Sequence, residues 1–370
     1  MVSANTPYCM KRHRRRFIIK FPDRTYLAIS QSYVQYLLLF IWVYWVTVVC
    51  ESVESFDLGR VYLEAQTYAT DFSLIEMIGF RILRNVDFIY YLILYVAVKL
   101  SIPLNFVTAL IVTSYYLLVI NAVRRITKVQ LSEPILLTFL FATPMIWVVA
   151  ISRNLTAAVF FYLAVTAYYR EKKGWTALFM IASVLTHFSF LMYVLVFLAS
   201  AYCRKIRLQP HCVMLTLALV IVVSFLAPSI LQSLISRLVT SRGLGYESYA
   251  TAASFNYLTF GSVNYADKVP VTFAFIYSVY LLFLNRRKYG FEYWALFILT
   301  CMLAFFLNSS WTLINRCMMI MTIFWALNVG RIVKRATIRD INDLNRISLF
   351  GLLSIVLQLY GNRHLYFGLS

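Results

Sequence analysis

Apolar residues run through this chain in long blocks punctuated by short polar and basic stretches, and the pattern repeats from residue 33 almost to the C-terminus. Each block approaches the thickness of a bilayer when wound as a helix, which predicts membrane spans in place of strands or amphipathic surface helices. The predicted spans are 33–50, 104–121, 133–150, 155–170, 174–187, 188–202, 212–228, 270–284, 291–308, 313–330 and 347–361. That is about eleven, in an all-α, polytopic transmembrane helical bundle. Several are shorter than the roughly 17–25 residues a lipid-facing helix needs, so those are expected to tilt, bend or pack inside the bundle.

Composition agrees. Of the 370 residues, 61% are hydrophobic and 13% are charged, a surface no soluble domain could hydrate. Residues 1–370 therefore read as one membrane domain, with no linker, repeat or low-complexity tract. A formal charge of +19 would ordinarily suggest nucleic acid, but the placement of the charge excludes that partner. Most Lys and Arg sit in six short clusters between the apolar blocks: Lys11–Arg24, Arg124–Lys128, Arg170–Lys173, Arg204–Arg207, Arg286–Lys288 and Arg331–Arg346. This is the positive-inside signature, and it favours anionic lipid headgroups.

Threading follows from it. The basic segment 1–32 is expected to be a cytosolic tail, and Tyr33 to Cys50 a retained first helix, since it lacks a small-residue cleavage pattern. Asp87 to Leu100 resembles a span, yet counting it as one would put Arg124, Arg125 and Lys128 outside. Its apolar core is also short, so it is expected to lie in the outer leaflet without crossing. Every basic cluster then falls inside, and two long segments fall outside: 51–103, acidic and aromatic, and 229–269, rich in Tyr, Ser and Gly. Segments of that length are binding-loop candidates.

Little else in the sequence suggests chemistry. The six cysteines form no CxxC and no His/Cys cluster, so neither a metal site nor a disulfide framework is expected. There is no G-x-S-x-G, H-E-x-x-H or P-loop. The Asp340–Asp343 pair sits in a basic loop, and no DxD motif for a metal-bound nucleotide-sugar is present. No cofactor is expected. Three polar positions fall at the outer ends of spans: Arg153 between two spans, His187 midway through a long apolar stretch, and Arg316 at the start of another. An arginine there either snorkels to headgroups or serves a site. The other histidines, His13, His211 and His364, lie in the cytosolic segments or the C-terminal tail, which leaves His187 as the outer-face histidine.

In order along the chain come Asp57-x-x-Arg60-x-Tyr62, Asp87-Phe88 at a helix start, Ser152-Arg153-Asn154, Thr186-His187-Phe188-Ser189 and Asn315-Arg316. This series resembles the EpsG/Wzy family of membrane polysaccharide polymerases, whose members show an acidic and arginine-bearing external segment, an E/D-x-x-F helix start, and I-R-Q, F-H-S and A-R-F runs. Here I-R-Q reads Ser-Arg-Asn, and one residue is inserted between His187 and Ser189. The resemblance implies a GT-C-like, metal-independent membrane glycosyltransferase of the bacterial inner membrane, working at its outer face. Its substrate would be an undecaprenyl-diphosphate-linked oligosaccharide, with a flippase and a chain-length regulator as further partners. Arg153 and Arg316 would stabilise the leaving diphosphate. His187 would accept the proton of the attacking hydroxyl, or Asp57 or Asp87 would do so while His187 holds substrate. Tyr62, Tyr246 and Tyr249 would stack on or hydrogen-bond sugars, and Asp57, Arg60, Asp87 and Asn154 would be further substrate-binding residues. A lipid-linked-glycan flippase, an O-antigen ligase and a membrane O-acyltransferase stay open as alternatives.

Overall fold

In a bilayer the solvent is apolar, so a helix can leave large hydrophobic side chains on its outer face and turn its few polar groups inward. The computed structural model of the chain is built this way. It describes residues 16–20, 26–51, 57–84, 87–127, 151–204, 210–226, 265–285, 290–306 and 311–334, with a few isolated positions elsewhere. The expected spans 133–150 and 347–361, the cluster Arg286–Lys288, and loop residues 229–264 with Tyr246 and Tyr249 lie outside the described residues.

The basic N-terminal segment carries a hairpin in which β1 (Arg16–Lys20) pairs antiparallel with β2 (Tyr26–Ser30), from Arg16↔Ser30 to Lys20↔Tyr26. The helices that follow are α1 (Gln31–Glu51), α2 (Asp57–Asp71), α3 (Leu74–Arg84), α4 (Phe88–Lys99), α5 (Leu104–Ile126) and α6 (Ser152–Tyr169). Then come α7 (Lys173–Thr186), α8 (Phe190–Cys203), α9 (Pro210–Leu226), α10 (Tyr265–Leu284), α11 (Phe291–Phe306) and α12 (Trp311–Val333). Helices α1 and α5 to α12 coincide with the predicted spans that fall in the described residues.

Two of these stretches, Leu104–Ile126 and Leu313–Val333, are long and apolar enough to cross a membrane by themselves. The others are shorter. At 14 residues, α7 and α8 rise about 21 Å against a hydrocarbon core of about 30 Å. Their outer faces are nonetheless greasy. On α8, Leu191, Leu195, Leu198 and Tyr202 form one exposed row at helical spacing, and Trp175, Leu178 and Ile181 do the same on α7. Ser183, Thr186 and Ser200 of the same helices are buried. That inversion of the soluble pattern is what lipid contact requires.

The interior is organised by α12, whose residues from Cys317 to Val329 are essentially inaccessible. It packs against α5, α6, α10 and α11. Buried polar atoms on it find partners across the interfaces: Tyr115 and Tyr162 both donate to the Met319 carbonyl, and Trp325 Nε1 donates to Ser278 Oγ at 2.7 Å. Asn328 Nδ2 donates to the Glu292 carbonyl at 2.9 Å. These bonds fix helix register where hydrophobic association is weak.

The two ends of the bundle differ. At one, Arg331 pairs with buried Glu292 at 2.5 Å, Tyr169 donates to the same carboxylate at 2.5 Å, and Arg204 donates to Tyr168 at 3.0 Å. Gly330 lies so close to Thr127 that an added Cβ would come within 2.6 Å of its side chain, which draws the ends of α5 and α12 together. Residues from four of the basic clusters thus occupy the same end. The starts of α4, α6 and α12 and the turn between α7 and α8 occupy the other. Helix α4 has 12 residues, a rise of about 18 Å. It ends in a left-handed Ser101 with crossed bonds from Ile102 N to Ala97 O and Ser101 N to Val98 O, so the chain reverses before Pro103 and enters α5.

Candidate functional site

At the end of the bundle away from the basic clusters, a buried carboxylate holds two arginines. Asp87, the residue before α4, is 3% exposed. Its Oδ1 accepts from Arg81 Nε at 2.9 Å and Nη2 at 2.6 Å, and its Oδ2 accepts from Arg81 Nη2 at 2.6 Å. Oδ2 also accepts from Arg153 Nη1 at 3.2 Å. Arg153 is the second residue of α6, so its long side chain leaves the helix at its opening turn, at the positive end of the helix dipole. Beside it, Ser152 Oγ meets Tyr90 Oη of α4 at 2.7 Å, which fixes α4 against the start of α6.

Arg81 comes from α3, and its burial is the surprise of the site. Met77 and Arg81 share the buried face of that helix, while Ile75, Ile82 and Leu83 are exposed on it. The guanidinium lies over the Tyr91 ring at 3.8 Å, donates to Tyr68 Oη at 3.2 Å, and stands 3.6 Å from Glu64 of α2. Glu64 in turn accepts from Tyr91 Oη at 2.5 Å. Sequence reasoning missed Arg81 and Glu64. The available signal was the pairing of Arg81 with Met77, four residues earlier, opposite an apolar face.

The second half of the site is the turn between α7 and α8. His187 ends α7 with an extended backbone (φ −158°, ψ 115°), and the turn closes with Phe190 N donating to His187 O at 2.9 Å. The imidazole is 3% exposed. The Ser189 backbone N–H donates to Nδ1 at 3.3 Å, and Ser189 Oγ lies 2.9 Å from the same nitrogen. An accepting Nδ1 assigns the ring proton to Nε2. Ser189 Oγ also reaches Asn154 Oδ1 at 3.5 Å, linking the turn to the first turn of α6.

His187 is buried, and the charges of Arg316 and Arg153 act on its imidazole. The same interaction ties the three residues together, because both guanidinium charges are felt at one imidazole. Arg316 lies near the start of α12, and its charge also reaches buried Tyr193 of α8. Two buried polar atoms, Tyr193 Oη and Asn315 Oδ1, have no hydrogen-bond partner among the described residues. Unfilled polar atoms at such depth mark a place where a bound polar group would be stabilised.

Other expected site residues lie differently. Tyr62 is buried and donates to Thr108 Oγ1 at 2.7 Å and the Leu104 carbonyl at 3.2 Å, so its hydroxyl packs α2 on α5. Arg60 is exposed, two residues away and on another face of α2. Asp57 opens α2, with its side chain outside the described residues, as Tyr246 and Tyr249 are. The structure thus brings together Asp87, Arg153, Asn154 and His187 by direct or shared contacts, and Arg316 by its field. Among the described residues no group of His, Cys, Asp and Glu could hold a metal ion.

The arrangement suits an anion. Arg81 pairs with Asp87 and Glu64, Arg153 pairs with Asp87, the Arg316 charge acts on His187 nearby, and the starts of α4, α6, α8 and α12 add the positive ends of their helix dipoles. Among known proteins, the family model described as the EpsG family matches residues 58–363. No curated protein and no solved structure matches the chain.

Proposed function

Because this chain belongs to the EpsG family, we propose that it is a membrane polysaccharide polymerase, moving a glycan from undecaprenyl diphosphate onto a second lipid-linked repeat unit. The observation that carries this reading is the cluster at one end of an apolar bundle in which Arg153 shares the Asp87 carboxylate with Arg81, and the His187–Ser189 turn meets Asn154 beside Arg153. In this reading that end faces the periplasm, the basic clusters face the cytosol, and α4 dips into the outer leaflet without crossing.

The chemistry follows from the charges. The attacking sugar hydroxyl forms a bond to the anomeric carbon as the bond from that carbon to the diphosphate oxygen breaks, and the leaving diphosphate takes the electron pair. Arg153 and Arg316 stabilise the charge that develops there, the task a metal performs in other transferases. The hydroxyl's proton passes to Ser189 Oγ, whose own proton moves to His187 Nδ1 across the 2.9 Å contact. A bound diphosphate offsets the Arg153 and Arg316 charges beside the imidazolium that forms as the proton arrives. Asp87 is a poor candidate for that task, since both its oxygens already accept from guanidinium groups.

Deleting the gene and displaying the cell's surface glycan by size separates this reading from its rivals. Loss of a polymerase leaves acceptor capped with a single repeat. Loss of a flippase or ligase leaves bare acceptor, and loss of an O-acyltransferase leaves the full ladder. Either of the last two patterns would overturn the proposal.

A further inference from the structure

We infer that Arg81 is a positioning residue, setting the orientation of Arg153 through the carboxylate of Asp87; the inference rests on the diphosphate-binding role proposed for Arg153. Arg81 is 1% exposed and is held from several sides: by the Tyr91 ring at 3.8 Å, by Tyr68 Oη at 3.2 Å and by Glu64 at 3.6 Å. Helices α2, α3 and α4 all contribute to its cage, so its guanidinium has one orientation available.

From that fixed position Arg81 takes the short contacts to Asp87, with Nη2 at 2.6 Å from each oxygen and Nε at 2.9 Å from Oδ1. Arg153 meets the same carboxylate through Nη1 at 3.2 Å. The asymmetry sets what Asp87 does to Arg153. A carboxylate with its charge otherwise uncompensated draws an arginine into a short two-pronged pair. Here Arg81 has already filled that role, so the longer contact orients Arg153 at the start of α6 without closing such a pair. Arg81 does this from the segment between α2 and α4, without meeting the reacting atoms.

If Arg81 loses its forked geometry, the freed carboxylate edge should capture Arg153 and turn its guanidinium from the diphosphate. Arg81→Lys retains the charge, and with it most of the fold's electrostatic balance, but cannot fill both oxygens in the plane of the carboxylate. A double-mutant cycle separates positioning from a merely structural role.

The experiment uses the full chain in lipid nanodiscs with undecaprenyl diphosphate as the probe, measured for native protein, Arg81→Lys, Arg153→Lys and the double variant. Arg81→Lys should weaken binding roughly tenfold in the native background and have no further effect once Arg153 is lysine. The same fold-loss in both backgrounds, or no loss in either, overturns the inference. If Arg81→Lys fails to reach the membrane, Tyr68→Phe, which removes only the hydroxyl on Arg81 Nη1, takes its place, with a smaller loss expected in the native background alone. A native protein that does not bind undecaprenyl diphosphate would sink the polymerase reading instead. In that event labelling of Arg153 by phenylglyoxal decides: slower labelling in the Arg81 variant supports positioning, and an unchanged rate overturns it.

Discussion

Replacing Arg153 with lysine should lower chain growth about a hundredfold while leaving the protein's level in the membrane unchanged. Charge survives this substitution. What is lost is the planar fork that can meet two phosphate oxygens at once, and a compact ammonium cannot reproduce it. An arginine that merely snorkelled to headgroups would tolerate lysine almost freely. Its Nη1 stands 3.2 Å from Asp87, an ion pair that an ammonium can also make, and Arg81 already compensates that carboxylate. The fold should therefore survive the change. The readout is polymer length and amount in cells expressing the variant, normalised to its abundance in membranes, and wild-type ladders would refute the assignment of Arg153 to the leaving group.

Asp87→Ala should have the opposite profile, a large loss of stability from which the loss of activity follows. Removing the carboxylate strands Arg81, whose side chain is 2% exposed, without its principal counter-charge. Breaking a buried pair from one side costs about 3–5 kcal/mol. Glu64, at 3.6 Å and 29% exposed, offers partial compensation and should place the loss in the lower half of that range. Asp87→Asn should be milder, since an amide oxygen still accepts from a guanidinium. Thermal unfolding of the purified variants in detergent should rank them native, then Asn, then Ala. An Ala variant that melts with the native protein would mean that the pair contributes little to the fold.

Much of the frame was legible because lipid leaves a coarse signature in sequence. The apolar blocks that became α1 and α5 to α12 needed no tertiary information, and the basic clusters at 124, 170, 204 and 331 identified one end of the bundle before any contact was known. Arg153, His187 and Arg316 stood out in the sequence for a related reason, as polar groups at the edges of apolar blocks, while Asp87 and Asn154 entered through the resemblance. Arg81 did neither. In GFRILRN it resembles its neighbour Arg84, and only the packing of α3 on α4 decides that the first is buried and the second exposed. Tyr62 was read as a sugar-binding residue through the resemblance. Two residues along a helix turn through roughly 200°, so Tyr62 and Arg60 lie on different faces of α2, and the Tyr62 hydroxyl donates to Thr108 and the Leu104 carbonyl in the contact with α5. Ser189 gains its role from the geometry of the turn, which sets its hydroxyl on His187 Nδ1.

The central claim is that the His187 turn and the two arginines join lipid-linked repeats without any other energy source, and reconstitution tests it most directly. Purified protein in vesicles, given undecaprenyl-diphosphate-linked repeat units and a chelator, should convert them into a ladder of polymers, releasing one undecaprenyl diphosphate for each linkage formed. The same preparation of His187→Ala, equal in amount and in melting temperature, should leave the single repeats unconverted. A native protein that forms no ladder under these conditions, or a His187→Ala protein that forms one as fast as the native, would contradict the account.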